Sequence, residues 1–371
     1  MRTSTVHHHW IAQPAELAEH LAHWTGIELL ALDTEFIRER TWWAQLALVQ
    51  MTAPGHDVLL VDPTVPGIPE LLRTLLDDPA ITKLMHSASE DIQALQRGCD
   101  AVPAPLFDTQ IAAALCGLGA GMGYQKLVET QLGIALPKSE TRSDWLRRPL
   151  SQAQLVYAAD DVLHLHALHA ILREKLRELG REQWFAEDCA RLIANSSSET
   201  PDPYPHLALR GAQYLDADAQ ALLCRLLRWR EVQARAGDRP KGWIIDNELA
   251  IALARKPPID ARAFHAFLDT QPKAPRKLRS ELWDALTEPL TAEEHDVPLV
   301  QTPDSAQKKL LRTLQEAVAA EAERLQLDAG MLASRRTLEA LLDGNGWPTA
   351  LDGWRRPILE PLLRPILDEQ G

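Results

Sequence analysis

Two carboxylates, Asp33 and Glu35, stand two residues apart inside the otherwise apolar run 29–36, LLALDTEF. An apolar run of this length after Gly26 predicts a buried strand. Because side chains alternate along a strand, both acids share one face, roughly 6.5–7 Å apart. Burying two anions together is costly unless a cation or a strong donor compensates. The pair therefore fits either a divalent metal site or a strand end at which both acids meet water.

A third acid, Asp91, lies in the stretch 86–92, HSASEDI, which follows a predicted strand and opens a predicted helix. Asp91 then falls in the first helical turn, where the helix dipole favours an anion. The alternative is that Ser89, Glu90 and Asp91 only cap and charge that turn.

A tyrosine and a fourth acid, Tyr157 and Asp161, are four residues apart in a predicted helix and therefore share a face. Asp160 points about 100° away from that direction. The alternative is an ordinary amphipathic helix with a solvated pair of aspartates.

The elements that would position these residues alternate between strand and helix signals. Apolar runs predict strands at 27–36, 44–51, 58–61 and 81–85, and the short gaps between the first three favour an antiparallel meander. Helical spacing covers 89–97, 108–116, 124–132 and 151–179, with Ser151 as an N-cap. This order predicts an α/β class, with a mixed sheet flanked by helices.

Two polar, proline-rich stretches, 195–205 and 291–303, predict linkers. The chain is helical on both sides of the second stretch. The predicted domains are therefore 1–200, followed by two helical units at 206–292 and 304–371.

The net charge of −13 argues against a protein that coats nucleic acid through bulk positive charge. Residues 1–200 hold 16 Lys+Arg and 26 Asp+Glu, a balance of −10, whereas residues 201–371 hold 23 and 26, a balance of −3. An acidic first half suits a site built from carboxylates, and a nearly neutral second half with basic clusters suits a polyanion.

The four cysteines are far apart and form no Cys-x-x-Cys pair, which argues against a zinc ribbon and fits reduced thiols in a cytoplasm. No apolar run approaches the roughly 20 residues of a membrane helix. The N-terminus lacks the apolar core of a signal peptide, so we expect a cytoplasmic protein with no membrane partner.

Taken together, the ordered series Asp-x-Glu, His-x4-Asp and Tyr-x3-Asp resembles the signature of the DEDD exonuclease superfamily, and the tyrosine resembles its DEDDy branch. The stretches 107–110 (FDTQ), 136–145 (LPKSETRSDW) and 157–162 (YAADDV) are similar to ribonuclease D. The helical units resemble the helicase-and-RNase-D C-terminal (HRDC) domain, of which bacterial ribonuclease D carries two. The resemblance implies an RNase H-like exonuclease domain followed by two all-α HRDC-type domains.

The resemblance also implies a site. Asp33, Glu35, Asp91 and Asp161 would hold two divalent ions, Mg²⁺ or Mn²⁺, and Tyr157 would orient the attacking water. Hard cations prefer oxygen ligands, and two such ions can activate the water and stabilise the leaving oxygen. A phenol with a pKa near 10 is a poor general base at neutral pH, so positioning is the expected role of the tyrosine.

Other residues near these motifs have weaker interpretations. We expect His86 to pack beside the site and Glu90 to face solvent or support the other acids. Asp108 is expected to cap a helix, and the amides that follow Tyr124 and Gln125 could meet a phosphate.

Nucleic-acid contacts are predicted in two places. A loop before the last motif offers cations for phosphates and a ring that could stack on a base, unless it is a solvated loop with one anchored tryptophan. The densest basic cluster, in the first helical unit, is expected to hold RNA. The predicted contact residues are Lys138, Arg142, Trp145, Lys273, Arg276 and Lys277.

The predicted function is metal-dependent 3′→5′ exoribonuclease activity, which releases nucleoside 5′-monophosphates and trims tRNA precursors and other small structured RNAs. A 3′→5′ DNA exonuclease of the same superfamily is the nearest alternative. A non-catalytic RNA-binding protein is a second, although the intact set of four carboxylates argues against it. We expect a monomer, and we expect a chain ending near residue 205 to retain catalysis but to bind long RNA more weakly.

Overall fold

The computed structural model describes residues 7–137, 143–302, 304–342 and 346–368. These residues form two compact units. The first unit contains the described chain up to Ile37, the segment Gln45–Ser198, and the described chain from Asp304 onward. The second contains Arg38–Ala44 and the described residues of 199–303.

A mixed sheet with the strand order β1-β4-β3-β2-β5-β6 forms the centre of the first unit. Its strands are β1 (His8–Ile11), β2 (Leu29–Ile37), β3 (Gln45–Thr52), β4 (Val58–Val61), β5 (Thr82–Met85) and β6 (Leu106–Asp108). The pairs β2–β3 and β3–β4 are antiparallel, whereas β1–β4, β2–β5 and β5–β6 are parallel. The predicted α/β class and the antiparallel meander are confirmed.

Helices surround this sheet, and the last helix ends at Asp368. The segment before residue 199 contains α1 (Pro14–His23), α2 (Ile68–Leu76), α3 (Ser89–Cys99), α4 (Thr109–Leu115), α5 (Tyr124–Leu132), α6 (Gln152–Leu163), α7 (Leu165–Glu178) and α8 (Glu182–Ser197). The segment 199–302 contains α9 (Ala217–Ala236), α10 (Lys241–Ile244), α11 (Asn247–Arg255), α12 (Ala261–Asp269), α13 (Arg279–Thr287) and α14 (Ala292–His295). The final helices are α15 (Ser305–Leu325), α16 (Ala329–Leu332), α17 (Arg335–Leu342) and α18 (Arg356–Asp368).

β2 lies in the middle of the sheet, and its residues 30–32 are completely buried. Its register with β3 shifts directly after Glu35, which lies opposite Leu48, whereas Phe36 lies opposite Leu46. One extra residue of β3 is therefore accommodated there. An irregularity of this kind bends the strand pair and redirects side chains. It falls next to one of the predicted site residues.

The last four helices complete the core of the first unit. Leu84 of β5, Phe107 of β6, Val318 of α15 and Leu359 of α18 belong to one cluster of buried apolar side chains. Removing residues 304–371 would therefore uncover part of that core. The expectation that a chain ending near residue 205 retains catalysis is not supported by this packing, since apolar burial is the main favourable term in folding.

A buried ion pair joins the same segments. Asp188 of α8 accepts two hydrogen bonds from the guanidinium of Arg355, at 2.7 and 2.9 Å, and both side chains are buried. Asp188 also accepts from Nε1 of Trp354 at 3.1 Å and from Arg191 at 2.6 Å. The predicted division into three domains stays a prediction, and the structure places 304–371 in the compact unit that contains the sheet.

The second unit has its own core, which includes Leu223 of α9, Leu253 of α11, Phe264 of α12 and Leu282 of α13. None of the helices in the described parts of the chain combines the length and apolar character needed to cross a membrane.

Candidate active site

Three elements of the first unit bring the predicted carboxylates together. β2 supplies Asp33 and Glu35, α3 supplies Asp91 from its first turn, and α6 supplies Asp161. Both helices pack against β2. The N-terminus of α6 is fixed by a capping box, in which Ser151 and Gln154 exchange hydrogen bonds, as predicted for Ser151.

The two strand carboxylates have raised pKa values. Burial, followed by the negative charges of Asp161 and Asp91, raises the pKa of Glu35 to about 9. Burial is also the largest cause for Asp33, whose pKa lies well above its ordinary value, and the charges of Asp91, Asp161 and Glu35 add to it. The four side chains are therefore close enough to repel one another.

The pKa values of the two helical carboxylates are also raised. Burial raises the pKa of Asp91 to about 6, and burial followed by the charge of Asp160 raises the pKa of Asp161 to about 7. A smaller contribution to Asp161 comes from Asp91. Such a cluster binds a cation or protons in preference to remaining fully charged.

The four carboxylates suit a divalent cation, because hard cations prefer oxygen donors. Within the described ranges, however, no group of three or more His, Cys, Asp or Glu side chains is already arranged to hold a metal ion. The donor set therefore fits a hard divalent cation.

Tyr157 lies beside this cluster, and its hydroxyl hydrogen-bonds to Asp161. Burial, followed by the charge of Asp161, raises the pKa of Tyr157. The phenol therefore stays protonated at neutral pH. This state suits a group that orients another molecule and does not suit a general base.

Trp145 packs against that tyrosine, with ring centroids of Trp145 and Tyr157 6.0 Å apart. Trp145 is only 2% exposed, so its ring has no free face for a base. Of the two interpretations left open by the sequence, the structure favours the anchored tryptophan. Arg148 holds the same loop through Trp145 O and through a bidentate ion pair with Asp62.

Thr34 is a residue that the sequence analysis missed. Its hydroxyl donates a hydrogen bond of 2.5 Å to Oδ1 of the buried Asp91. Only the position of α3, which sequence spacing does not give, identifies this contact.

Asp108 caps α4, as predicted, but it also holds a second segment. Its carboxylate accepts from the amides of Gln110 and Ile111 at its own helix and from those of Ser87 and Ala88 before α3. Ser87 has a φ of 59°, a strained conformation for a residue with a side chain. Asp108 therefore stabilises the turn that leads to Asp91.

His86 packs beside the site, as expected. Its Nδ1 lies 2.9 Å from Oγ1 of Thr109, and its ring lies edge-on to Tyr124 at 5.6 Å. Glu90 is exposed, which agrees with the solvent-facing interpretation.

The predicted RNA-contact residues are distributed differently. Lys138 and Arg142 lie outside the described residues. Lys273, Arg276 and Lys277 are exposed on the second unit, and Lys273 has an ion pair of 3.8 Å with Asp246. An exposed pair at this distance contributes little and leaves the ammonium accessible to another anion.

The sheet also borders a cavity of about 770 Å³, which includes Glu28, Thr82, Phe107 and His169 in its lining. None of the predicted site residues lines it. The carboxylate cluster is therefore a separate feature of the first unit.

Comparison with known proteins identifies the family of this chain. A family model described as 3′-5′ exonuclease matches residues 8–177, which include all five predicted catalytic positions. Ribonuclease D of Xanthomonas oryzae pv. oryzae is 52% identical over 360 residues, or 97% of this chain and 98% of that protein. Ribonuclease D of Pseudomonas paraeruginosa is 36% identical over 373 residues, or 97% of each.

A solved structure is similar along almost the whole chain. The crystal structure of Escherichia coli RNase D, described as an exoribonuclease involved in structured RNA processing, matches with a TM-score of 0.82 and 29% identity. The match covers 98% of this chain and 99% of that one.

Proposed function

Because the chain belongs to the ribonuclease D family and is a 3′→5′ exoribonuclease, we propose that it trims the 3′ ends of tRNA precursors and other small structured RNAs. Each cycle would release one nucleoside 5′-monophosphate. The observation that supports the site most directly is that β2, α3 and α6 bring Asp33, Glu35, Asp91 and Asp161 close together.

The exonuclease family to which the first unit is similar depends on divalent metal. We propose that the four carboxylates hold two ions, Mg²⁺ or Mn²⁺, whose charge offsets the repulsion between the acids. When bound, such ions would activate a water molecule and stabilise the leaving 3′ oxygen. The carboxylates would hold and space the cations.

Tyr157 has a different role in this proposal. Its hydroxyl is protonated and hydrogen-bonded to Asp161, and it can orient the attacking water. Trp145 restricts the tyrosine ring from one side. Orientation of this kind lowers the barrier because the reacting atoms are held near their transition-state positions.

The RNA itself would extend beyond the reacting phosphate. We propose that Lys273, Arg276 and Lys277 of the second unit, which resembles an HRDC domain, bind phosphates of the substrate. Lys138 and Arg142 are also proposed to contact phosphates of the substrate. The E. coli relative is described as acting in structured RNA processing, which supports a structured substrate here.

Two alternatives predict different outcomes. A DNA exonuclease would shorten matched DNA at least as fast as RNA, because the carboxylates act on the phosphodiester and not on the sugar. A non-catalytic RNA-binding protein would bind RNA without shortening it in any metal.

The test uses the full chain and an RNA with an unpaired 3′ end, with Mg²⁺ or with EDTA. Ladder-like shortening is expected only with metal. Asp91→Asn should lower kcat by at least about 100-fold, since it removes a charge that holds the cation. Glu90→Gln is a matched control, because that neighbouring acid is exposed. Equal activity of wild type and Asp91→Asn would contradict the site, and shortening in EDTA would contradict the metal requirement.

A further inference from the structure

The helix that carries Tyr157 and Asp161 is interrupted at His164, three residues after the aspartate. The sequence predicts one helix over 151–179, but α6 ends at Leu163 and α7 begins at Leu165. The segment 152–178 contains neither proline nor glycine. A break without those residues requires another cause, such as a side chain inserted into the hydrogen-bond ladder.

The inserted group is the hydroxyl of Tyr124. It donates a hydrogen bond of 3.1 Å to the carbonyl oxygen of Asp160 and accepts one of 3.3 Å from the amide of His164. In an uninterrupted helix the amide of residue 164 would bond to the carbonyl of residue 160. The phenol therefore replaces that one ladder bond with a bridge.

The opened turn contains Asp161. Its backbone lies between the two groups that Tyr124 connects, so the size of the bridge determines how far the turn opens. Tyr124 is also close to the carboxylate cluster. Burial raises the pKa of its hydroxyl, and the nearby charges of Asp161 and Asp33 add to that increase. The hydroxyl remains protonated and can donate and accept at once.

Tyr124 is itself held in place by residues outside α6. It is the first residue of α5, and its ring lies against His86, which contacts Thr109. The residue before the preceding glycine, Met122, accepts a hydrogen bond from Gln110 through its carbonyl at 3.2 Å. The bridge therefore has a rigid support.

We propose that Tyr124 is a positioning residue, whose hydroxyl opens the turn after Asp160 so that Asp161 presents its carboxylate to Asp33, Glu35 and Asp91. This inference rests on the proposed function of those carboxylates. Tyr124 acts through the helix backbone and does not contact the RNA.

The test is Tyr124→Phe in the full chain, which removes one oxygen and retains the ring. The amide of His164 can then bond directly to the carbonyl of Asp160, which closes the turn. We expect Mg²⁺ affinity, measured by calorimetry, to fall about tenfold, and kcat to fall at least as much, with KM for RNA unchanged. Tyr214→Phe, which removes an exposed hydroxyl in the second unit, is the control and should change neither quantity.

A second measurement does not depend on the stability of the variant. Mg²⁺ added to the wild-type protein should slow hydrogen exchange of the His164 amide, because binding at Asp161 rigidifies the bridged turn. Asp161→Asn should abolish this change.

The outcomes separate the two proposals. Absence of Mg²⁺ binding to the wild type would contradict the proposed metal site. Normal binding together with unchanged affinity and kcat in Tyr124→Phe, or with no effect of Mg²⁺ on the His164 amide, would overturn the role of Tyr124.

Discussion

The hydroxyl of Thr34 and the carboxylate of Asp91 form a hydrogen bond that joins the central strand to the first turn of α3. Thr34→Val keeps the shape of the side chain and removes the donor. Since a hydrogen bond to a charged group contributes about 1.5–3 kcal/mol, we expect Mg²⁺ affinity to fall roughly tenfold as Asp91 loses its orientation. Calorimetry measures the affinity, and Thr34→Ser should restore it. Equal affinity of Thr34→Val and wild type would show that Asp91 needs no such support.

The ion pair between Asp188 and Arg355 should be important for the stability of the first unit. Arg355→Ala leaves a buried carboxylate with fewer donors, so the free energy of unfolding should fall by about 3–5 kcal/mol. Arg364→Ala breaks an exposed pair with Glu360 and should cost about 1 kcal/mol or less. Urea unfolding of both variants gives the comparison. Similar losses in the two would mean that the buried pair has no special role.

The burial of Lys83 predicts that the free energy of unfolding changes with pH in the alkaline range. It is fully buried, its ammonium donates to the carbonyls of Asp78 and Ala104, and burial lowers its pKa to about 8. The unfolded chain, with an ordinary lysine pKa of about 10.4, binds the proton more tightly. This contribution to stability is therefore complete above the unfolded pKa and is lost as the pH falls through about 8.

Comparison with Lys83→Met isolates this effect from other groups that titrate at alkaline pH. The free energy of unfolding of the wild type, relative to the variant, should be larger at pH 10 than at pH 7. Urea titrations at the two pH values measure the difference. A difference that does not change with pH would mean that Lys83 keeps an ordinary pKa.

Trp145 should affect turnover and not RNA binding. Because its buried ring packs on Tyr157, Trp145→Leu should lower kcat while KM for RNA stays within about twofold. A base stacked on the ring would contribute about 1–3 kcal/mol, so its loss would weaken RNA binding by roughly 5- to 150-fold. Trp24→Leu removes another buried tryptophan of the same unit and controls for general destabilisation. A large rise in KM specific to Trp145→Leu would restore the stacking interpretation.

Local sequence patterns were sufficient for most of the sheet. β2, β3 and β4 lie in predominantly apolar runs, and Ser151 and Asp108 have the residue type and position of helix caps. β1 was missed because two of its four residues are histidines, so it shows no apolar run, and β6 was missed because it has only three residues. Both depend on pairing with strands that are distant in sequence. Their pairing partners, and not their composition, make them strands.

The acids of the candidate site were predictable from the sequence, but the residues that hold them in position were not. The spacing of Asp33, Glu35, Asp91 and Asp161 matches a known order of motifs, whereas the contacts of Thr34 and Tyr124 join residues remote in sequence. The hydroxyl that interrupts α6 comes from 36 residues before Asp160. No periodicity within 151–179 contains that information, so the pattern predicted a continuous helix.

The core shared by the sheet and α15–α18 has a consequence for synthesis of the protein. A ribosome adds about 5–20 residues per second, and the whole segment 199–303 must be made before the helices that cover this core emerge. Until then the nascent sheet and its first helices expose apolar surface to chaperones. The nuclease unit can close only late in translation, so an incomplete chain still attached to its messenger RNA would not yet be a competent nuclease.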